Sequence, residues 1–111
     1  MKKYMRRISF FILLIFILNK SFAGFQNGNE LLTLNSDANN TVRKGIYIGY
    51  IEGVIDALGG ILICPTSEMN ARQASDIVTK YLEKHPENRH LSGDLLIVRA
   101  IQEVFPCPNK K

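Results

Sequence analysis

The first 23 residues constrain this chain most, because they decide how much of it is left to fold. Lys2, Lys3, Arg6 and Arg7 crowd the start. Ile8 to Leu18 follows, a run of 11 residues in which only Ser9 is not apolar. Ser21-Phe22-Ala23 then places small residues at both ends of a tripeptide. A cationic start, a short apolar run and a small-x-small site are the three parts of a secretory signal peptide, and they predict cleavage after Ala23. A retained membrane anchor fits less well, since the apolar run is about half the ~20 residues of a spanning helix. No cysteine lies beside the cleavage site to carry a lipoprotein anchor. The expected organisation is a signal peptide over 1–23 and one domain over 24–111, exported to the periplasm with no membrane anchor in its mature form.

Composition changes meaning once the leader is set aside. The whole chain has 14 basic and 10 acidic residues, a formal charge of +4 that suggests nucleic acid or an anionic surface as partner. The leader takes Lys2, Lys3, Arg6, Arg7 and Lys20 with it, which leaves nine basic residues against ten acidic ones, a charge of −1. Phosphate binding needs a cationic surface, so no nucleic-acid partner is expected. An oxidising address also makes Cys64 and Cys107 a structural disulfide rather than a metal or redox pair.

The mature sequence reads as all-α, a compact bundle of about four helices held by that one disulfide. Asn29 is placed to cap a first helix from Glu30, with Leu31, Leu32 and Leu34 on its apolar side. A second, longer helix is expected over 41–63. Val42, Ile46, Tyr50, Val54, Leu58 and Ile61 recur there at three- and four-residue steps and predict its core stripe. Gly45, Gly49, Gly53 and Ala57 form a ladder at four-residue steps on the same helix. Glycine inside a helix costs about 1 kcal/mol relative to alanine, so the ladder predicts close approach of another helix, within the chain or in a dimer. The third helix is expected over 71–84, with Asn70 and Gln73 as a capping box, an inner stripe of Ala74, Ile77, Val78, Tyr81 and Leu82, and Pro86 as its stop. A fourth is expected over 93–105, capped by Ser92, with Leu95, Val98, Ile101, Val104 and Phe105 inward. The disulfide would join the ends of the second and fourth helices. Closing a loop of that length stabilises a domain by about 4 kcal/mol in chain-entropy terms.

A search for chemistry yields little. There is no metal-binding motif, no nucleophile elbow and no phosphate loop. His85 ends the third helix, where an imidazolium complements the dipole. His90, Ser92 and Asp94 have the letters of a catalytic triad but sit within five residues, where Ser92 is more simply a cap. Glu52 and Asp56 share one helix face, whereas glycosidic acid–base pairs flank a sugar from opposite sides. No catalytic residue, metal or cofactor is therefore expected, and the chain reads as an exported helical binding protein rather than an enzyme.

Five stretches together carry a family likeness. They are Asn27-Gly28-Asn29-Glu30-Leu31-Leu32, the central 48–59 segment from Ile48 to Gly59, Ile63-Cys64-Pro65, the 80–91 segment from Lys80 to Leu91, and Val104-Phe105-Pro106-Cys107. In this order and spacing the chain resembles the small periplasmic immunity proteins of type VI secretion, the resistance-associated family that neutralises peptidoglycan amidase effectors. The resemblance implies an all-helical fold, often a homodimer, which blocks the active-site groove of a cognate secreted cell-wall amidase and has no chemistry of its own. The family often carries two further cysteines near the positions of Asn35 and Tyr47; their joint absence fits one missing bridge.

Exposed loops on a rigid helical scaffold are natural inhibitory elements. Thr66, Ser67 and Glu68 in the 65–70 loop, and Glu87, Asn88 and Arg89 in the 85–90 loop, are the partner-binding candidates. Gly45, Gly49, Gly53 and Ala57 are the helix-packing or dimer candidates. A competing reading is a small periplasmic helical stress or acid chaperone, which shares the leader, the size and the single disulfide.

Overall fold

The computed structural model describes residues 1–7, 25–64 and 68–108. The predicted leader falls outside the described residues apart from 1–7, of which 2–7 are helical. Four helices follow: α1 Gly28–Ser36, α2 Thr41–Leu58, α3 Ala71–Lys84 and α4 Gly93–Val104, with a 3-10 turn at Pro86–Asn88 between α3 and α4. No described residue belongs to a sheet; two isolated bridges, Asn27 with Ser92 and Gly59 with Ile63, are the extended pairings.

Local sequence sets each helix start. Asn27 accepts from the Glu30 amide at 3.0 Å and Glu30 Oε2 accepts from the Asn27 amide at 2.8 Å, a reciprocal capping box. The expected cap at Asn29 is thus corrected by two residues, because the Asn27–Glu30 spacing satisfies two orphan amides where Asn29 would satisfy one. Asn70 and Gln73 form the second box, at 2.9 and 3.0 Å, as the sequence indicates for α3. Asn40 accepts from the Arg43 amide to start α2. Ser92 occupies the N-cap position of α4 but makes no side-chain cap bond. Its backbone pairs with Asn27 instead.

The helices close on a core of Leu31, Tyr47, Ile51, Ile63, Ala74, Val78, Leu82, Leu96, Ile97, Val98, Ala100 and Ile101. The stripe predicted for α3 is the one buried: Ala74, Val78 and Leu82 fully, Ile77 and Tyr81 in part. The stripe predicted for α2 is corrected. Tyr47 and Ile51 form its inner edge, with Ile48, Tyr50, Val54, Ile55 and Leu58 packed around them, whereas Val42, Ile46 and Ile61 are exposed. Apolar residues surround this helix, so periodicity alone could not select its inner face. The same holds for α4, where Leu96, Ile97 and Ala100 are buried and Leu95 and Val104 exposed.

Two glycines fix how the N-terminal ends of α1 and α4 meet. A Cβ on Gly28 would lie 2.9 Å from Arg89 Cα, and one on Gly93 would lie 2.9 Å from Leu31 Cδ1 and 3.0 Å from the Gln26 carbonyl. The close approach lets the Gly28 amide donate to the Leu91 carbonyl at 3.3 Å and the Gly93 amide to the Gln26 carbonyl at 2.8 Å. At the opposite end, Cys64 and Cys107 are disulfide-bonded with Cα atoms 5.2 Å apart, joining the segment after α2 to the segment after α4.

Candidate functional site

The loop candidates separate into two groups at opposite ends of α3. Its 14 residues span about 21 Å at 1.5 Å per residue. The 65–70 loop precedes α3 at the disulfide end, and the 85–90 loop follows it at the end where α1 begins. Thr66 and Ser67 lie outside the described residues, and Glu68 is exposed.

The 85–90 group is stitched into the scaffold. Arg89 Nε donates to the Leu82 carbonyl at 2.7 Å and its Nη2 to the Glu83 carbonyl at 3.3 Å, so the guanidinium caps the last turn of α3. The backbone carbonyl of Arg89 accepts from the Asn29 amide. Arg89 is therefore occupied in holding α1 and α3 together. Glu87 is exposed and accepts from His85 Nδ1 at 3.1 Å. Its carboxyl is held below the usual range, first by the bond it accepts from its own amide and then by His85. The Asn88 amide donates to the His85 carbonyl.

The disulfide end presents a different surface. The chain leaves α2 through a tight turn in which the amides of Ile61, Leu62 and Ile63 all point to the Leu58 carbonyl, at 3.0, 3.0 and 3.1 Å. Gly60 sits at φ +81°, a conformation that disfavours side chains, and its amide donates to the Ile63 carbonyl at 2.7 Å. Ile63 anchors the turn in the core, Gln102 Nε2 donates to the Leu62 carbonyl at 2.7 Å, and Cys64 is bonded to Cys107. On this fixed turn Ile61 is 74% and Leu62 48% exposed, and Val104 of the nearby α4 end is 52% exposed. Sequence reasoning assigned Ile61 to the core and passed over this surface. The signal available was Gly59-Gly60, which ends α2 at Leu58, five residues before the buried Ile63.

The glycine ladder faces outward. Beyond the adjoining residues and the backbone of α2 itself, no atom of the described residues lies within 4 Å of a Cβ added at Gly45, Gly49 or Gly53. Close approach of another helix of the same chain, the first of the two readings of that ladder, is therefore corrected: α2 turns Tyr47 and Ile51 to the core and the ladder away from it. Beside the ladder runs a shallow groove of about 450 Å³ lined by Gly49, Tyr50, Gly53, Val54, Leu58 and Asp94, among others. Burial, and then the nearby Asp94 carboxylate, raise the Tyr50 phenol pKa.

The positions near which the resembling family often has a second cysteine pair converge on one hydroxyl. Asn35 Nδ2 donates to Thr79 Oγ1 at 3.2 Å, and Tyr47 Oη lies 2.7 Å from the same atom. Thr79 spends its own proton on the Ser75 carbonyl at 2.8 Å, so Tyr47 is the donor. A polar knot thus ties α1, α2 and α3 at that point. Burial raises the Tyr47 pKa.

No group of three or more metal-ligating side chains occurs among the described residues. No described helix is long and apolar enough to cross a membrane. The arrangement can present surfaces, held rigidly, to another macromolecule. A family model described as Rap1a immunity proteins matches residues 27–107, the stretch that contains all four helices and both cysteines. No curated protein and no solved structure gives a significant match.

Proposed function

The chain belongs to the Rap1a immunity protein family, and we propose that it is a periplasmic antidote that blocks the active-site groove of a cognate type VI secreted peptidoglycan amidase. The observation that carries this reading is the family match across the whole helical domain. The leader over 1–23 supports export, and the disulfide suits an oxidising compartment. Occlusion requires no catalytic group from the inhibitor; it requires a surface that holds its shape as it enters a groove. The disulfide end is our choice for that surface. Ile61 and Leu62 supply the apolar contact, and Thr66, Ser67 and Glu68 follow in sequence after Ile63-Cys64-Pro65. A pre-ordered turn loses little freedom on binding, which favours affinity. Glu87 and Asn88 form the second candidate surface, with Arg89 as its support. The open ladder of α2 is our candidate for the contact between two copies in a homodimer.

The test pairs the purified protein with the product of the neighbouring open reading frame, assayed as a peptidoglycan amidase, and follows release of cell-wall peptides. Stoichiometric suppression of hydrolysis is expected, and full activity in the presence of excess protein would overturn the reading. Ile61→Asp with Leu62→Asp is expected to weaken the complex by two orders of magnitude without changing the melting temperature. Unchanged affinity would transfer the contact away from the disulfide end.

A further inference from the structure

Asn27 is the only asparagine in the chain that is followed by glycine. That pairing carries chemistry of its own. Glycine has no Cβ to crowd its nitrogen and lets the backbone turn freely. In a released chain the Gly28 nitrogen therefore reaches Asn27 Cγ and closes a five-membered imide. The bond from the Gly28 nitrogen to Cγ forms and the Cγ–Nδ2 bond breaks. Nδ2 leaves as ammonia, taking up one proton in place of the one that the Gly28 nitrogen gives up. Water then opens the imide at either carbonyl. One product is an ordinary aspartate at position 27; the other is an isoaspartate, with the backbone routed through Cγ.

In the folded chain the reaction is held off at several points. Ring closure requires Asn27 Cβ and the Gly28 nitrogen to eclipse across the Cα–C bond, and at ψ 176° the two are staggered. The peptide between these residues is pinned on both sides. Its carbonyl accepts from the Leu31 amide at 3.0 Å and its N–H donates to the Leu91 carbonyl at 3.3 Å. The carboxamide is held as well, because Asn27 Oδ1 accepts from the Glu30 amide at 3.0 Å. Gly28 is itself buried, in a slot where an added Cβ would meet Arg89 Cα at 2.9 Å. We infer that Asn27-Gly28 is a self-modification site kept shut by the seating of α1 on the segment before α4, and that it deamidates when that seat opens. Its rate then follows the fraction of time that α1 is released, as for any chemistry confined to a locally opened state. The two products differ on reclosing. Aspartate is as good an N-cap as asparagine, so that product reseats α1. The isoaspartyl backbone is one carbon longer and cannot hold the cap and the Gly28–Leu91 bond together.

For the test, the oxidised protein is incubated in mildly alkaline buffer, folded and in guanidinium. Peptide mass spectrometry follows conversion at each asparagine, and methylation by an isoaspartyl methyltransferase counts the isomerised product. In guanidinium Asn27 is expected to convert ahead of Asn29, Asn35, Asn39 and Asn40. In the folded protein its conversion is expected to slow by roughly tenfold or more. Gly93→Ala, whose methyl would press on Leu31 and the Gln26 carbonyl, is expected to raise the folded rate and leave the denatured rate unchanged. Glu30→Ala, an exposed change that removes the bond from the Asn27 amide, gives the same reading if Gly93→Ala does not fold. Conversion of Asn27 no faster than that of the other asparagines in guanidinium overturns the site. Equal rates in the folded and denatured protein overturn its closure by the fold. If neither variant raises the folded rate, the seat of α1 is not the gate and the inference is overturned.

Discussion

Replacing Thr79 by valine keeps the shape of the side chain and removes one oxygen. That oxygen donates to the Ser75 carbonyl and accepts from Asn35 Nδ2 and the Tyr47 hydroxyl, at 2.8, 3.2 and 2.7 Å. The Ser75 carbonyl keeps its helical partner, and Asn35, half-buried, turns to water. Tyr47 has no such exit, because its side chain is fully buried. A buried hydroxyl left without a partner costs about 1–3 kcal/mol, and loss of the Asn35 bond adds about 0.5 kcal/mol. Thr79→Val is therefore expected to cost about 2–3 kcal/mol, a large share of the 5–15 kcal/mol typical of a domain. Tyr47→Phe removes donor and proton together and should cost about 1 kcal/mol. In the Tyr47→Phe background Thr79→Val leaves nothing buried and unsatisfied, so the two changes together should cost about 1–2 kcal/mol less than their sum. Urea unfolding of the oxidised protein, followed by far-ultraviolet circular dichroism, measures all four corners of the cycle. Additivity within about 0.5 kcal/mol would refute the assignment of Thr79 as the shared acceptor.

Glycine replacements should divide by sign. Gly28→Ala and Gly93→Ala push a methyl to within 3 Å of neighbouring atoms and are expected to lower the melting temperature by several degrees. Gly53→Ala meets open space and is expected to stabilise the single chain by about 1 kcal/mol through helix propensity; denaturant titrations of the three variants decide this. Reduction of Cys64–Cys107 should remove about 4 kcal/mol, and a melting curve that does not move on adding reductant would contradict it. Because the folded pKa of Glu87 is depressed by its own amide and by His85, its carboxyl should remain ionised as pH falls below the ordinary glutamate range. Whatever it contributes is present above the unfolded pKa and lost through the folded one. Carbon-detected titration should show His85→Ala moving the midpoint upward.

The legible parts of the fold were those where one residue pattern admitted one solution. α3 combines an Asn/Gln capping box, a single apolar stripe and a proline stop, and its limits and inner face follow directly from them. The cysteine pair follows from the oxidising address that the N-terminal pattern predicts and from there being two cysteines. α2 resisted because Val42, Ile46, Tyr47, Ile48, Tyr50 and Ile51 supply apolar residues in every direction, and only packing chooses among them. Leu95-Leu96-Ile97-Val98 poses the same problem in α4, where a continuous apolar run has no period to read. The candidate site was legible only in outline. Nothing in the letters around Arg89 shows that its guanidinium turns back on the carbonyls of α3. Nothing in Ile61-Leu62 reveals that a glycine turn lifts both side chains out of the core.

The disulfide divides the protein into two classes of stability. Everything from Cys64 to Cys107, which includes α3 and α4, lies inside a covalent ring, whereas α1 and α2 lie outside it. α2 is anchored beside the ring by Tyr47 and Ile51, and the turn that follows it by Ile63. α1 holds on through Leu31, the Gly28 and Asn29 amides, Arg43 and the Asn35 bond to Thr79. A clip of that kind opens as a unit, without disturbing the ring, and such sub-global openings set the exchange rates of the amides they expose. In hydrogen–deuterium exchange α1 should therefore behave as the protein's own detachable strap, exchanging together and ahead of α3 and α4 even while the disulfide is intact.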